Sequence, residues 1–332
     1  MTPIIVRRRH SYLPYSRGVM AQSIMATGIA PARAYDLARR IGERLEETGA
    51  GEVSLGDLRS FTEAILLAEE GAEAVKRYRG WQRLDRLDRP LVVLVGGTAG
   101  TGKSTLATSL AHRLGITRLT STDMIRNVLR AFFTVDVMPD VHYSSFEARS
   151  AVHLHEDGDD VDLLGFRTQA EHVASGVRAI IDRAIKERTP LVLEGVHLVP
   201  GILPPVLLER ALVIHVVIAV PDERAHRSHF EMRSEAQARG PAQRYIDALP
   251  TIRKLQSYLV ERAEREGVPV LVNDALDESL ATMLAMVIEA VVAQSPAAGD
   301  AAPSGTTDAL DPFKDDVGHL TVTGREGSWD HR

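Results

Sequence analysis

Residues 91–105, LVVLVGGTAGTGKST, run from five consecutive apolar residues through four glycines to Lys103 and Ser104. An apolar run without alternation reads as a strand buried on both faces, and the pattern STLATSLAHRLG that follows reads as a helix. Between the two, the backbone has to do something a Cβ would obstruct. Glycines let the loop wrap so that successive N–H groups point inward and form a nest for an anion. Gly97 to Ser104 match G-x-x-x-x-G-K-[ST] in the strand–loop–helix setting that this motif requires. The positive end of a helix starting near Lys103 strengthens the nest. Gly97, Thr98, Ala99, Gly100, Thr101, Gly102, Lys103, Ser104 and Thr105 are therefore expected to bind ATP. Lys103 reaches the β- and γ-phosphates, and the Ser104 hydroxyl is an expected Mg²⁺ ligand.

The pattern around this loop predicts an α/β fold of P-loop NTPase type, a parallel sheet covered by helices on both faces. Further buried strands are read at 116–122, 190–195, 211–220 and 269–273, with helices from Asp123 and over 170–187. Three regions follow. Residues 1–89 form a small, mostly helical N-terminal domain, opening on a β-like stretch at 4–6, with helices at 23–28 and 32–48 and a further helix or two over 57–74. Residues 90–293 form the P-loop domain. Residues 294–332, rich in Ala, Pro, Gly, Ser, Thr and Asp, cannot build a core and read as a disordered tail.

The 332-residue chain has no cysteine, which excludes disulfides and thiolate metal sites and suits a reducing, cytoplasmic setting. A net charge of −6 offers no basic field for nucleic acid, and no apolar run reaches the ~20 residues of a membrane span. His153, His155, Glu156, Asp157, Asp159 and Asp160 lack a third partner at a defined spacing and read as a solvated acidic loop. Trp81 and Trp329 are isolated and form no base-stacking platform.

The acids narrow the class of P-loop protein. No strand ends in an Asp-Glu pair, and no Asn-Lys-x-Asp is present for guanine. Instead Thr122-Asp123 closes the second strand, with Arg126 one helical turn later on the same face. A carboxylate there orients or deprotonates an acceptor hydroxyl and approaches the Mg²⁺ shell, while the guanidinium holds an anionic substrate. This layout resembles the small-molecule kinases. After the strand VIHVVIAVPDE, Arg224, Arg227, His229 and Arg233 stand where a lid closes over ATP and excludes water. Arg227 and Arg233 are the lid candidates at the transferred phosphoryl group, with Phe230 and Met232 between them as anchors.

GGTAGTGKST, STDMIR, GFRTQAEHVASGVRAIIDRA, LVLEGVHLVPG, HRSHFEMR, PTIRKLQSYLVERA and GVPVLVN resemble 2-phosphoglycerate kinases over about residues 90–290, and LEGVHLVPG is the most specific of them. The resemblance implies transfer of the ATP γ-phosphoryl group to the 3-hydroxyl of 2-phosphoglycerate, with Mg²⁺. It implies Arg126 and Arg167 as acceptor cations, with Arg130, Arg149 and His197 as weaker candidates. It further implies that Glu194 organises Mg²⁺ and the nucleophile through water, and that residues 143–166 cap the acceptor. The N-terminal region resembles an ATP-cone, with Arg7-Arg8-Arg9 where such modules carry a Lys-Arg pair. A P-loop kinase of another small hydroxy acid or phosphorylated metabolite and a nucleotide-sensing regulatory protein with little transfer activity are the other readings of the same residues.

Overall fold

The apolar runs of the sequence become the strands of one parallel sheet. The computed structural model describes residues 4–7, 12–84, 87–237 and 243–294, with the backbone alone over 233–237. The N-terminal part comprises β1 (Ile5–Arg7), β2 (Tyr12–Pro14), α1 (Arg17–Met25), α2 (Pro31–Glu47), β3 (Glu52–Ser54), α3 (Leu55–Glu70) and α4 (Ala72–Trp81). Next come β4 (Leu91–Gly96), α5 (Lys103–Leu114), β5 (Leu119–Ser121) and α6 (Thr122–Phe132). Two 3-10 turns, Pro139–His142 and Ser145–Ala151, lead to α7 (Val161–Glu187), β6 (Leu191–Gly195), α8 (Pro205–Leu208) and β7 (Leu212–Ala219). The series ends with α9 (Glu223–Gln237), α10 (Gln243–Asp247), α11 (Leu249–Arg265), β8 (Val270–Val272) and α12 (Leu276–Gln294).

The sheet order is β5-β6-β4-β7-β8, with every neighbouring pair parallel. All six residues of the central strand β4 are buried. Leu91, Val93 and Val95 pack with Leu106 and Leu110 of α5 and Leu284 and Val287 of α12. Val92 and Leu94 face the other way, onto Val173, Val177 and Ile181 of α7. Each such side chain contributes about 1.5–3 kcal/mol relative to exposure, so the sheet is stable only with both faces covered. That is why its strands lack alternation.

The N-terminal part has its own apolar core, with Ile24, Leu37, Ile41 and Leu66 among its members. Besides the expected strand near residue 5, it holds β2 and β3 in a three-stranded sheet of order β2-β1-β3. Three residues are too few to reveal a period of two. Trp81 packs against this core and against the α5/α12 core. Gln22 Nε2 donates to the His112 carbonyl at 3.3 Å, and Arg113 Nη1 donates to that of Ile29 at 3.3 Å.

Several helices differ from the sequence reading. α1 starts six residues before the expected 23, because the Ser16 hydroxyl caps it by accepting from the Val19 N–H. Of the one or two helices read over 57–74 there are two, α3 and α4, which meet at Gly71 with φ 84°. α7 begins at Val161 rather than 170, capped by Asp160. Asp160 is therefore more than part of a solvated acidic loop: it also pairs with Lys254 of α11 at 3.1 Å. Within the added turns of α7, a Cβ on Gly165 would sit 2.5 Å from the Ala148 carbonyl oxygen. Its absence lets α7 lie directly against the second 3-10 turn. The tail from 295 onward falls outside the described residues.

Gly165→Ala is expected to lower stability by about 1–3 kcal/mol through overpacking against backbone, read as a reduced urea midpoint at unchanged slope. An unchanged midpoint would contradict the close approach.

Candidate active site

β4 ends in Gly96, and the next turn is possible only with glycine: φ is 145° at Gly97, 82° at Gly100 and 81° at Gly102. Gly102 caps α5, so Lys103 is its first residue, with exposed Ser104 and Thr105 completing the first turn. The Thr101 hydroxyl donates to the Thr98 carbonyl at 3.0 Å and cross-pins the loop. From outside the loop, His226 Nε2 meets the Ala99 oxygen at 2.7 Å and His229 Nδ1 meets the Gly100 oxygen at 2.8 Å. Asn273 Nδ2 donates to the Thr101 oxygen at 3.0 Å.

The neighbouring strand brings an acid to the lysine. Register pairs Val95 with Glu194 and Gly96 with Gly195, so the carboxylate emerges beside the start of the loop. Lys103 Nζ lies 3.8 Å from Glu194 Oε2, with the two side chains only 13% and 11% exposed. Gly195 has φ 150°, and the Thr122 side chain occupies the space its Cβ would need. β6 and the start of α6 thereby approach closely.

At that start, the Ser121 hydroxyl accepts from the Met124 N–H and caps α6. Asp123 is thus free of a capping role, and its side chain is 58% exposed. Arg126 Nε stands 3.5 Å from Asp123 Oδ1, and Arg126 Nη1 donates to the carbonyls of Val141 and Tyr143. The guanidinium therefore links α6 to the segment between the 3-10 turns.

Beneath this surface runs a buried chain of hydrogen bonds. Gln169 Nε2 donates to the carbonyls of Asp140 and Tyr143, which can only accept. Its Oε1 must then accept from His197 Nε2 at 3.0 Å, leaving His197 Nδ1 to accept the Thr122 hydroxyl proton at 2.8 Å. His197 is fully buried. Burial pushes its pKa down to about 4, aided by the charges of Arg126 and Lys103 and opposed by that of Asp123. The imidazole is neutral at physiological pH and holds one tautomer.

No protein-family model matches the chain. The 2-phosphoglycerate kinase of Thermococcus kodakarensis is 39% identical over 273 residues, covering 82% of this chain and 92% of its own. That of Methanopyrus kandleri is 36% identical over 279 residues, covering 83% and 84%. The chain belongs to the 2-phosphoglycerate kinase family. Similar solved structures include a putative kinase from Chloroflexus aurantiacus (TM-score 0.37, 16% identity, 62% of this chain and 98% of that one). Another is the shikimate kinase from Acinetobacter baumannii (TM-score 0.36, 15% identity, 63% and 97%).

In this member of the 2-phosphoglycerate kinase family, the expected site residues divide into two groups. Lys103 and Glu194 meet at the loop, and Asp123 and Arg126 meet at the start of α6, with His197 sensing charge from three of the four. Arg167 lies exposed on α7 and makes no ion pair or hydrogen bond among the described residues. Arg130 is exposed, and Arg149 pairs with Asp162. His197 is buried, so it is not positioned to touch an acceptor as the resemblance implied. On α9, Arg224 and Arg227 point to solvent, and the Arg233 side chain lies outside the described residues. Phe230 anchors the helix as expected, but Met232 is 57% exposed and does not. The face turned to the loop carries His226, His229 and Phe230. Asn273 and Gln169 are not singled out by the sequence, and there His226 reads as a histidine without a pattern. The available signals were a polar residue closing the apolar strand PVLVN and two histidines three residues apart on a helix.

The His197 pKa sets a sign for pH dependence. The unfolded chain binds a proton near the usual 6.5 while the folded one waits until about 4. Between those values the unfolded state holds more protons, so stability falls as pH drops, by up to about 1.4 kcal/mol per unit. Denaturant titrations of the unaltered protein and His197→Asn are expected to converge as pH falls from 7 to 4.5. Parallel profiles would contradict the buried neutral imidazole.

Proposed function

We propose that the chain transfers the γ-phosphoryl group of ATP to the 3-hydroxyl of 2-phosphoglycerate, giving ADP and 2,3-bisphosphoglycerate. The observation that carries this reading is the extent of likeness to named 2-phosphoglycerate kinases, 32–39% identity over most of the chain. The geometry supports it by gathering two units at one edge of the sheet, the loop with Lys103 and Glu194, and Asp123 with Arg126.

Roles follow from chemistry. The loop amides and Lys103 hold the nucleotide phosphates, with Lys103 leaving Glu194 for the β- and γ-oxygens. Asp123 takes the proton of the acceptor hydroxyl while its oxygen bonds to the γ-phosphorus and the bond to the ADP oxygen breaks. Arg126 and Arg167 neutralise the carboxylate and phosphate of the acceptor. Arg227 and Arg233 follow as lid cations. The hydroxyl of Ser104 and the carboxylates of Asp123 and Glu194 are hard oxygen donors, a set that fits Mg²⁺. When bound, that ion would neutralise charge on the transferred phosphate. Residues 90–293 are the catalytic unit in this reading, and residues 1–89 are an ATP-cone-like regulatory module. The lack of cysteine suits a cytoplasmic setting for both. No described helix is long and apolar enough to cross a membrane.

ATP consumption by the purified chain across a panel of small hydroxy acids tests the acceptor. 2-Phosphoglycerate is expected to raise turnover most, and a panel with no acceptor above the water rate would overturn the reading. Lys103→Ala is expected to abolish transfer. Asp123→Asn is expected to lower kcat about a hundredfold or more while leaving the KM for ATP nearly unchanged. Equal changes in both constants would remove Asp123 from the acceptor.

A further inference from the structure

Three successive carbonyls of the glycine loop are each met by a side chain from far along the chain. The Ala99 oxygen has His226 at 2.7 Å, the Gly100 oxygen has His229 at 2.8 Å, and the Thr101 oxygen has Asn273 at 3.0 Å. A trans peptide directs its C=O and the next N–H in opposite directions. Holding the oxygens of residues 99, 100 and 101 therefore turns the N–H groups of Gly100, Thr101 and Gly102 away from the braces. Without them, a glycine loop has freedom to flip a peptide and present an oxygen, which repels phosphate, in place of an N–H. We infer that His226, His229 and Asn273 are positioning residues that preset these three amides for the nucleotide phosphates, an inference that rests on the ATP reading above.

The fit between loop and braces is mutual. A Cβ on Gly100 would meet the Phe230 ring at 2.6 Å and the His226 ring at 2.9 Å, and one on Gly102 would collide with the Asn273 amide. Two of the four glycines thus serve the braces as well as the turn. The His226 ring is itself held by stacking on Phe230 at 5.4 Å, and Phe230 stacks on Tyr245 of α10 at 5.2 Å. His226 and Asn273 also bury their second polar atoms, Nδ1 and Oδ1, with no hydrogen-bond partner. Leaving such atoms unmatched is destabilising. A contact serving only to fill space is achieved more cheaply by an apolar side chain, so the aimed donor is the feature that the site retains. Burial lowers the pKa of His226, which keeps the ring neutral with its one N–H on the nitrogen facing Ala99.

The test separates the donor from the bulk of the side chain. Leucine fills the imidazole space without a donor, glutamine places an amide near the position of Nε2, and asparagine near that of Nδ1. The full chain is titrated calorimetrically with ATP and with inorganic triphosphate. His226→Leu, His229→Leu and Asn273→Ala are each expected to raise the Kd for both probes about tenfold. His226→Gln and His229→Asn are expected to stay within about threefold of the unaltered protein, while the KM for the acceptor changes in none of them. Asn273, at a half-buried strand end, provides a variant with little risk to folding. Folded variants that bind both probes as tightly as the unaltered protein overturn the inference. So does loss in the amide replacements equal to that in the leucine ones. If the unaltered protein binds neither probe, the ATP reading fails first and takes the inference with it.

Discussion

The in-register pairing of β4 with β6 is the constraint on which the site depends. Two buried strands end together, Gly96 beside Gly195, so the loop and the acid that faces its lysine leave the sheet at one level. A slip of one residue would turn Glu194 to the opposite face, into apolar packing against helices. Coverage of both faces forbids this slip, because Val192 belongs to the core under α5 and α12 while Leu191 and Leu193 belong to the one under α7. The apolar cores therefore set the position of a charged group.

From that edge the side that carries Asp123 and Arg126 is assembled by polar contacts rather than by apolar ones. The Thr122–His197–Gln169 chain joins the start of α6, the turn after β6 and the middle of α7, and it ends on the carbonyls of the 140–143 segment. Arg126 reaches two carbonyls of the same segment from the surface. Farther out, Arg244 of α10 holds Glu147 and Ser144, and Lys254 of α11 holds Asp160 and Asp162. Exposed ion pairs contribute little, about 0–1 kcal/mol each, whereas a buried chain with every donor matched specifies one arrangement. The buried chain is the stronger determinant of how the segment sits.

Much of this was legible in the sequence where the governing interaction is local. The glycine loop, the strand before it and the helix after it are contiguous, and a strand buried on both faces announces itself by lacking polar residues. Asp123 and Arg126 were readable because a helical turn relates them. β2 and β3 were not, since three residues carry no period, and neither was the early start of α7, where Gly165 lies directly against the backbone of Ala148. His197 entered as a weaker acceptor candidate through the resemblance, but its buried hydrogen bonds are to Gln169 and Thr122, which lie 28 and 75 residues away. Asn273 likewise acquires its meaning from Thr101, 172 residues earlier. Contacts created by tertiary crossing leave no spacing to read.

The position of Trp81 has a practical side. It stacks near Tyr78 at 6.2 Å and lies where the core of the N-terminal helices meets the core beneath α12. The chain has two tryptophans, and the other, Trp329, stands near its C-terminal end. Indole emission responds to the polarity and packing of its surroundings, so a ligand that shifts the N-terminal helices against α12 alters the colour or yield of the Trp81 signal. The molecule carries a built-in optical gauge at one of the places where its N-terminal helices meet the core of the parallel sheet.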